Sequence, residues 1–230
     1  MSEKTMLSYI PPNPSTAWDD AHTLYLAATG GGKSQMMSQN PAIPKKGARV
    51  ILWDHVPDQT GLHFFSKAKF VAALRAGIKS GKGFRVGYSG PRTIENYEWF
   101  CEVVWRSLDG RVATYCLVEE LAVVSPHPGV APPCAQLLLN EGRKYGLHWH
   151  GTSQKPQEIS KTYYTACRYK FIGWQNGLAM RKKMAAEIGI TPEEIATLEP
   201  LEFYRHDGSA RAPERLKIKP KNIPNRKMIR

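Results

Sequence analysis

No stretch of this 230-residue chain is apolar over the roughly 18 to 20 residues that crossing a bilayer requires. The N-terminal region, with Glu3, Lys4, Asp19 and Asp20, lacks the apolar run of a signal peptide. The expectation is a soluble protein made in the cytoplasm. Cysteine is sparse and scattered: Cys101, Cys116, Cys134 and Cys167 form no C-x-x-C pair, which removes a zinc framework and a disulfide framework and leaves reduced, mostly buried thiols. Internal repeats and low-complexity blocks are absent too, so neither a solenoid nor a disordered linker organises the chain. Acid is missing from two segments. Residues 59–94 hold Lys67, Lys69, Arg75, Lys79, Lys82, Arg85 and Arg92 with no Asp or Glu, and residues 209–230 hold eight bases against Glu214 alone. With a net charge of +12 and a pI near 9.6, the chain needs an anionic partner, either nucleic acid or an acidic membrane surface.

What is present begins with Ala27-Ala28-Thr29-Gly30-Gly31-Gly32-Lys33-Ser34, a Walker A sequence of the form A-x-x-x-x-G-K-S. Thr23–Ala27 reads as a buried strand before it, and Gln35–Gln39 opens a helix behind it. Three glycines let the backbone turn its N–H groups toward phosphate oxygens. Ala28, Thr29, Gly30, Gly31, Gly32, Lys33, Ser34 and Gln35 are therefore the candidate nucleotide contacts, Lys33 for the β- and γ-phosphates and Ser34 for Mg2+. The chain has room for one sizeable α/β domain. Strands are expected at Ala48–Asp54, Phe84–Tyr88, Val112–Val118, Leu147–Thr152 and Tyr169–Ile172, and helices at Lys67–Ala76, Ile94–Leu108 and Ala135–Tyr145, an alternation that predicts a mostly parallel sheet covered by helices. Thr191-Pro192-Glu193-Glu194 predicts a capped helix start, and Leu201–His206 with Arg215–Ile218 a hairpin around Asp207-Gly208. The expected organisation is an irregular arm (1–22), a P-loop domain (23–208) and a basic tail (209–230).

Val112–Val118 ends in Glu119-Glu120, a Walker B pattern. Adjacent carboxylates point in different directions, so Glu119 is the candidate for magnesium and its waters and Glu120 for the attacking water, against the plainer alternative of two solvated acids. Asp58-Gln59-Thr60-Gly61 spells the D-x-x-G of GTPases, but N-K-x-D occurs nowhere, so this segment is set aside as coincidence. Gln154, closing the strand from Leu147, lies where parallel strands crowd a ligand, suited to a γ-phosphate or a water. Arg143 precedes that strand, placed either to reach across a subunit boundary or simply to face solvent. His148 and His150 share a strand face but lack the further ligands of a metal site.

Together these motifs resemble the FtsK/HerA superfamily of DNA-pumping ATPases, most of all the genome-packaging ATPases of tailless, membrane-containing double-stranded DNA viruses. The likeness spans residues 23 to 206. It rests on Ala27–Ser34, on Leu117-Val118-Glu119-Glu120, on Gly142-Arg143-Lys144-Tyr145-Gly146, and on Thr152-Ser153-Gln154-Lys155-Pro156, which is similar to a T-Q-x-P signature with Ser153 inserted. Asp54 also matches a strand-end Asp common in relatives. Ala27 replaces the first Walker A glycine, and Glu119 stands where Asp is commoner. The resemblance implies a RecA-like (ASCE) P-loop NTPase using ATP and Mg2+, assembled as a homo-oligomeric ring, a hexamer. Glu120, Lys33, Arg143 and Gln154 would be catalytic, Arg143 in trans, and Ser34 and Glu119 would hold magnesium. Double-stranded DNA would pass through the ring, contacted by Lys67, Lys69, Lys79, Lys82, Arg85 and the tail. The implied partners are the capsid vertex or procapsid proteins, and the location is the host cytoplasm and the virion. Competing readings are a filamentous-phage assembly ATPase related to Zot, whose relatives carry a membrane span, and a nucleotide-gated DNA or capsid clamp without motor activity.

Overall fold

The computed structural model describes residues 8–125, 128–209, 211–222 and 226–229. Among these residues ten strands make one sheet: β1 (Thr23–Leu26), β2 (Arg49–Trp53), β3 (Gly61–Phe64), β4 (Phe84–Tyr88), β5 (Thr114–Val118), β6 (Leu147–Ser153), β7 (Tyr169–Gly173), β8 (Glu202–His206), β9 (Glu214–Lys217) and β10 (Arg226–Ile229). Their order across the sheet is β10-β3-β4-β2-β5-β6-β1-β7-β8-β9, parallel from β10 to β7, with β8 and β9 antiparallel. The helices are α1 (Lys33–Gln39), α2 (Lys67–Lys79), α3 (Ile94–Ser107), α4 (Leu121–Val124), α5 (Pro133–Glu141), α6 (Lys161–Ala166), α7 (Leu178–Ile188) and α8 (Pro192–Ala196).

The central strands are continuous apolar runs because both faces are covered. All of β1 is buried, as are Val50 to Trp53 of β2 and Cys116 to Val118 of β5. On one face α3 buries Tyr97, Phe100, Cys101, Val104 and Trp105, a three-and-four spacing that forms a single helical stripe. Trp53 projects from β2 into that stripe, its ring 5.3 Å from Tyr97 and 5.4 Å from Phe100. Thr93 caps α3 by accepting from the Asn96 N–H. The opposite face is thinner: Met36 and Met37 of α1 pack with Tyr25, Val50, Leu52, Leu117, Phe171 and Phe203.

The expected helix over Ala135–Tyr145 divides, its last turn tightening into a 3-10 helix at Gly142–Tyr145. The capping box at Thr191 and Glu194 forms as expected. Arm residues 8–22 carry no helix or strand, yet they are tied down. Asn13 donates to the Asp109 carbonyl at 2.9 Å, the Ser15 N–H donates to Lys144 O at 2.8 Å, and Trp105 Nε1 donates to Tyr9 O at 2.8 Å. The C-terminal segment behaves less like a loose tail than its charge suggests. After the expected β9 it crosses α1, where Gln39 donates to Lys219 O at 2.9 Å and Gln35 to Lys221 O at 2.8 Å, and β10 then lies beside β3 at the far edge of the sheet.

Candidate nucleotide site

The site is built at the C-terminal ends of β1, β5 and β6. Ala28 N–H donates to Trp174 O at 2.9 Å, which anchors the base of the P-loop, and Gly31 N–H turns back to Ala28 O at 2.9 Å. Gly30 and Gly32 take φ of +78° and +94°, the left-handed region where a side chain is strained. At Gly32 a Cβ would also lie 2.5 Å from Leu201 Cδ2. Met36 N–H donates to Gly32 O at 2.8 Å, starting α1, whose N-terminus has no side-chain cap and no acid in its first turn. Its unpaired N–H groups and positive dipole end suit phosphate.

Two carboxylates follow β5, as Walker B requires, and the fold gives them different surroundings. Glu119 is 6% exposed. Its Oε2 accepts from Thr152 Oγ1 at 2.6 Å and Ser34 Oγ at 3.2 Å, and its Oε1 from Gln59 Nε2 at 2.9 Å. Burial pushes its carboxyl up, against the bonds of Thr152 and Gln59. Glu120 turns the other way on a left-handed backbone, φ +60°. Its Oε1 lies 3.0 Å from Lys33 Nζ and accepts from Gln154 Nε2 at 3.0 Å. Thr29 of the P-loop donates to Gln154 Oε1, so Thr29, Gln154, Glu120 and Lys33 form one polar chain over the loop. A left-handed non-glycine residue is tolerated where its side chain is put to use.

Asp54 directly follows β2 and accepts from the N–H groups of Asp58, at 2.9 Å, and Gln59, at 2.8 Å. Burial first, and the charge of Glu119 second, push its carboxyl up to about 8. The Asp58–Gly61 segment, set aside on sequence, is brought into the site: Asp58 Oδ2 lies 3.3 Å from Ser34 Oγ, and Gln59 donates to Glu119 and, at 3.2 Å, to Ser34 O. It has no guanine-reading partner; its place comes from the turn that Asp54 closes. The only sequence signal was an Asp at a strand end followed by a second Asp. A hydroxyl beside two carboxylates is a hard-oxygen set of the kind magnesium takes together with phosphate and water, so the residues fit the ion. Lys33, Ser34, Glu119, Glu120, Gln154 and the P-loop thus converge.

The other candidates lie elsewhere. The Gln35 side chain turns to the C-terminal segment at Lys221, while its backbone stays in the first turn of α1 beside Ser34. Arg143 precedes β6, at the N-terminal end of the strands and so about 20 Å, the length of a seven-residue strand, from the end that carries Lys33. Its Nη1 donates to Trp18 O at 2.9 Å, so the guanidinium grips the arm. The basic candidates divide between the two ends of α2. Lys67 and Lys69 stand at its start, on the nucleotide edge, where Lys67 Nζ is 4.7 Å from the Trp99 ring centroid. Lys79, Lys82 and Arg85 stand at the other edge, and Arg85, half-buried, donates to Thr60 O at 2.8 Å.

A parallel sheet with one strand between the P-loop strand and the strand bearing the acid pair defines a RecA-like P-loop NTPase fold. No family model matches the sequence. Among solved structures, the genome packaging NTPase B204 from Sulfolobus turreted icosahedral virus 2, in complex with AMPPCP, superposes with a TM-score of 0.70 at 16% identity, covering 88% of this chain and 99% of that one. The bacterial conjugative coupling protein TrwBdeltaN70 gives 0.62 at 10% identity, covering 99% and 94%. Protein P9 of Pseudoalteromonas phage PM2 is 33% identical over 196 residues, 83% of this chain and 87% of that protein. The chain belongs to the family of Protein P9, and its fold is that of the RecA-like P-loop NTPases.

Proposed function

We propose that this protein is an Mg2+-dependent ATPase that drives double-stranded DNA into a preformed viral capsid. The observation that carries the reading is the convergence of Lys33, Glu120, Gln154 and Thr29 over the P-loop, with Ser34 and Glu119 beside it. The P-loop N–H groups and Lys33 would bind the triphosphate. Ser34 and Glu119 would hold magnesium, which when bound offsets charge on the phosphates. Glu120 would take the proton of the attacking water, and Gln154, already bonded to Glu120, would orient that water. Lys33 holds Glu120 at 3.0 Å, so a phosphate that draws Lys33 away would release the base for this task.

Likeness to the genome packaging NTPase B204 supports the packaging assignment, and kinship to a phage protein supports a viral role. The charge of +12 supports a polyanionic track. The working form is a ring, a hexamer, at the capsid vertex, acting in the host cytoplasm and carried in the virion. Arg143, too far from its own Lys33 to act on it, would serve a neighbour's site. The deciding experiment measures ATP turnover with and without double-stranded DNA while light scattering reports mass. DNA-stimulated turnover by an oligomer is expected; turnover by a monomer, indifferent to DNA, would remove the motor.

A further inference from the structure

The roles above leave the turn between β2 and β3 without a task, although it closes the site from the side opposite Gln154. Asp54, 1% exposed, receives the N–H groups of Asp58 and Gln59 on one carboxylate and so folds residues 54–59 into a tight turn. The turn delivers two side chains to the same place. Asp58 Oδ2 lies 3.3 Å and Glu119 Oε2 3.2 Å from the one hydroxyl of Ser34. A hydroxyl carries a single proton and bonds only one of them at a time. Two carboxylates that converge on one hydroxyl repel unless one takes a proton or a cation lies with them, and the lysine at hand, Lys33, is paired with Glu120. Gln59 supplies a second, independent sign. Its Nε2 donates to Glu119 Oε1 and to Ser34 O, which fixes the amide, since an amide oxygen has nothing to donate. Its Oε1 is thereby left buried and without a partner, in a residue 1% exposed. Such an acceptor calls for a donor that the described residues do not provide.

We propose that Asp58 supplies a further carboxylate to the magnesium shell formed with Ser34 and Glu119, and that Gln59 is a positioning residue that fixes Glu119 and accepts from a magnesium-bound water. The inference rests on the ATPase reading and adds to it a three-residue ion site, assembled by a turn that carries no Walker signature. Asp54 is the frame of that turn. The D-x-x-G spelling is incidental to it, because Gly61 begins β3 and stands apart from the ion.

The test titrates Mg2+ into full-length protein holding a fluorescent non-hydrolysable ATP analogue and reads the half-saturating Mg2+ concentration. Asp58→Asn is expected to raise it about tenfold or more, the scale on which metal-shell partners act. Binding of the analogue in EDTA should stay at the wild-type level, and Asp58→Glu should recover part of the loss. Gln59→Leu should raise the same midpoint while leaving binding in EDTA unchanged. Thermal unfolding confirms the fold of each variant, and Asp58→Ser replaces Asp58→Asn if that variant does not fold. A midpoint for Asp58→Asn that matches wild type overturns this inference and leaves the ATPase reading standing. A wild-type protein that binds the analogue without regard to Mg2+ overturns both.

Discussion

Lys33 and Glu120 meet at 3.0 Å although they leave the sheet from β1 and β5, strands separated by β6. The pair is mostly buried, its side chains 11% and 23% exposed, and Gln154 from the intervening strand completes it. Each partner therefore has a separate task to lose. Lys33→Ala should weaken ATP binding and abolish turnover. Glu120→Gln should keep binding but lower kcat by about a hundredfold or more, because it removes the base while sparing the loop. Equilibrium binding of a fluorescent nucleotide, alongside single-turnover hydrolysis, checks both; turnover near wild type in either variant would refute the assignment.

Arg143 couples two roles that experiment can separate. Its guanidinium donates to Trp18 O, and a hydrogen bond of this kind at a half-exposed site is worth about 1 kcal/mol. Arg143→Ala should lower stability by that amount through the arm. If the residue also serves a neighbouring subunit, turnover should fall and be rescued on mixing with Glu120→Gln subunits, since each then lacks what the other has. Loss of stability with full turnover would leave Arg143 as an anchor of the arm.

The split of the basic residues predicts unequal dependence on salt. Lys79 and Lys82 are exposed and take part in none of the ion pairs among the described residues, whereas Lys67 covers the Trp99 ring. Each lost phosphate contact lowers the slope of log K against log salt by about 1. Lys79→Gln with Lys82→Gln should lower it by about 2, and Lys67→Gln should leave it nearly unchanged. Fluorescence anisotropy on duplex DNA across a salt series measures the slope, and equal slopes in all three proteins would count against phosphate tracking at this edge.

What could be read in the sequence was what is local. Gly32, Lys33 and Ser34 are contiguous, Glu119-Glu120 end an apolar strand, and Thr191 to Glu194 form a cap within one turn of helix. What could not be read depends on contacts between distant segments. Asp58 and Gln59 are polar residues in a short loop, and beyond the strand-end Asp54 nothing nearby marks them as reaching Ser34 and Glu119, 24 and 60 positions away. Strand β10, Arg226-Lys227-Met228-Ile229, has the composition of a tail and becomes a strand by adding to the edge of β3. Helix α7 starts at Gly177 without a side-chain cap and carries Arg181, Lys182 and Lys183 in its middle, which conceals the buried side made by Met184, Ala185 and Ile188.

Buried histidines set the response to acid. His22 is 2% exposed, and its Nδ1 accepts from the Trp149 N–H at 3.2 Å, a bond that a protonated ring cannot make. Burial, and then the nearness of His148, lower its pKa to about 4. Above pH 6.5 the ring is neutral in both folded and unfolded chains and contributes no pH dependence. Between 6.5 and about 4 the unfolded chain binds a proton that the folded chain refuses, so stability falls as pH falls, by about 3 kcal/mol for a shift of this size. His150, fully buried beside Tyr25, acts in the same direction. Asp54 acts in the opposite one, because its raised carboxyl holds a proton in the fold that the unfolded chain releases above its ordinary value. The difference between two proteins therefore isolates the histidine better than either curve alone. His22→Asn keeps an acceptor for Trp149 and cannot titrate. Urea unfolding of both proteins from pH 7 to 4.5 should show wild type losing stability relative to the variant as pH drops, and parallel curves would mean that His22 is protonated in the folded protein.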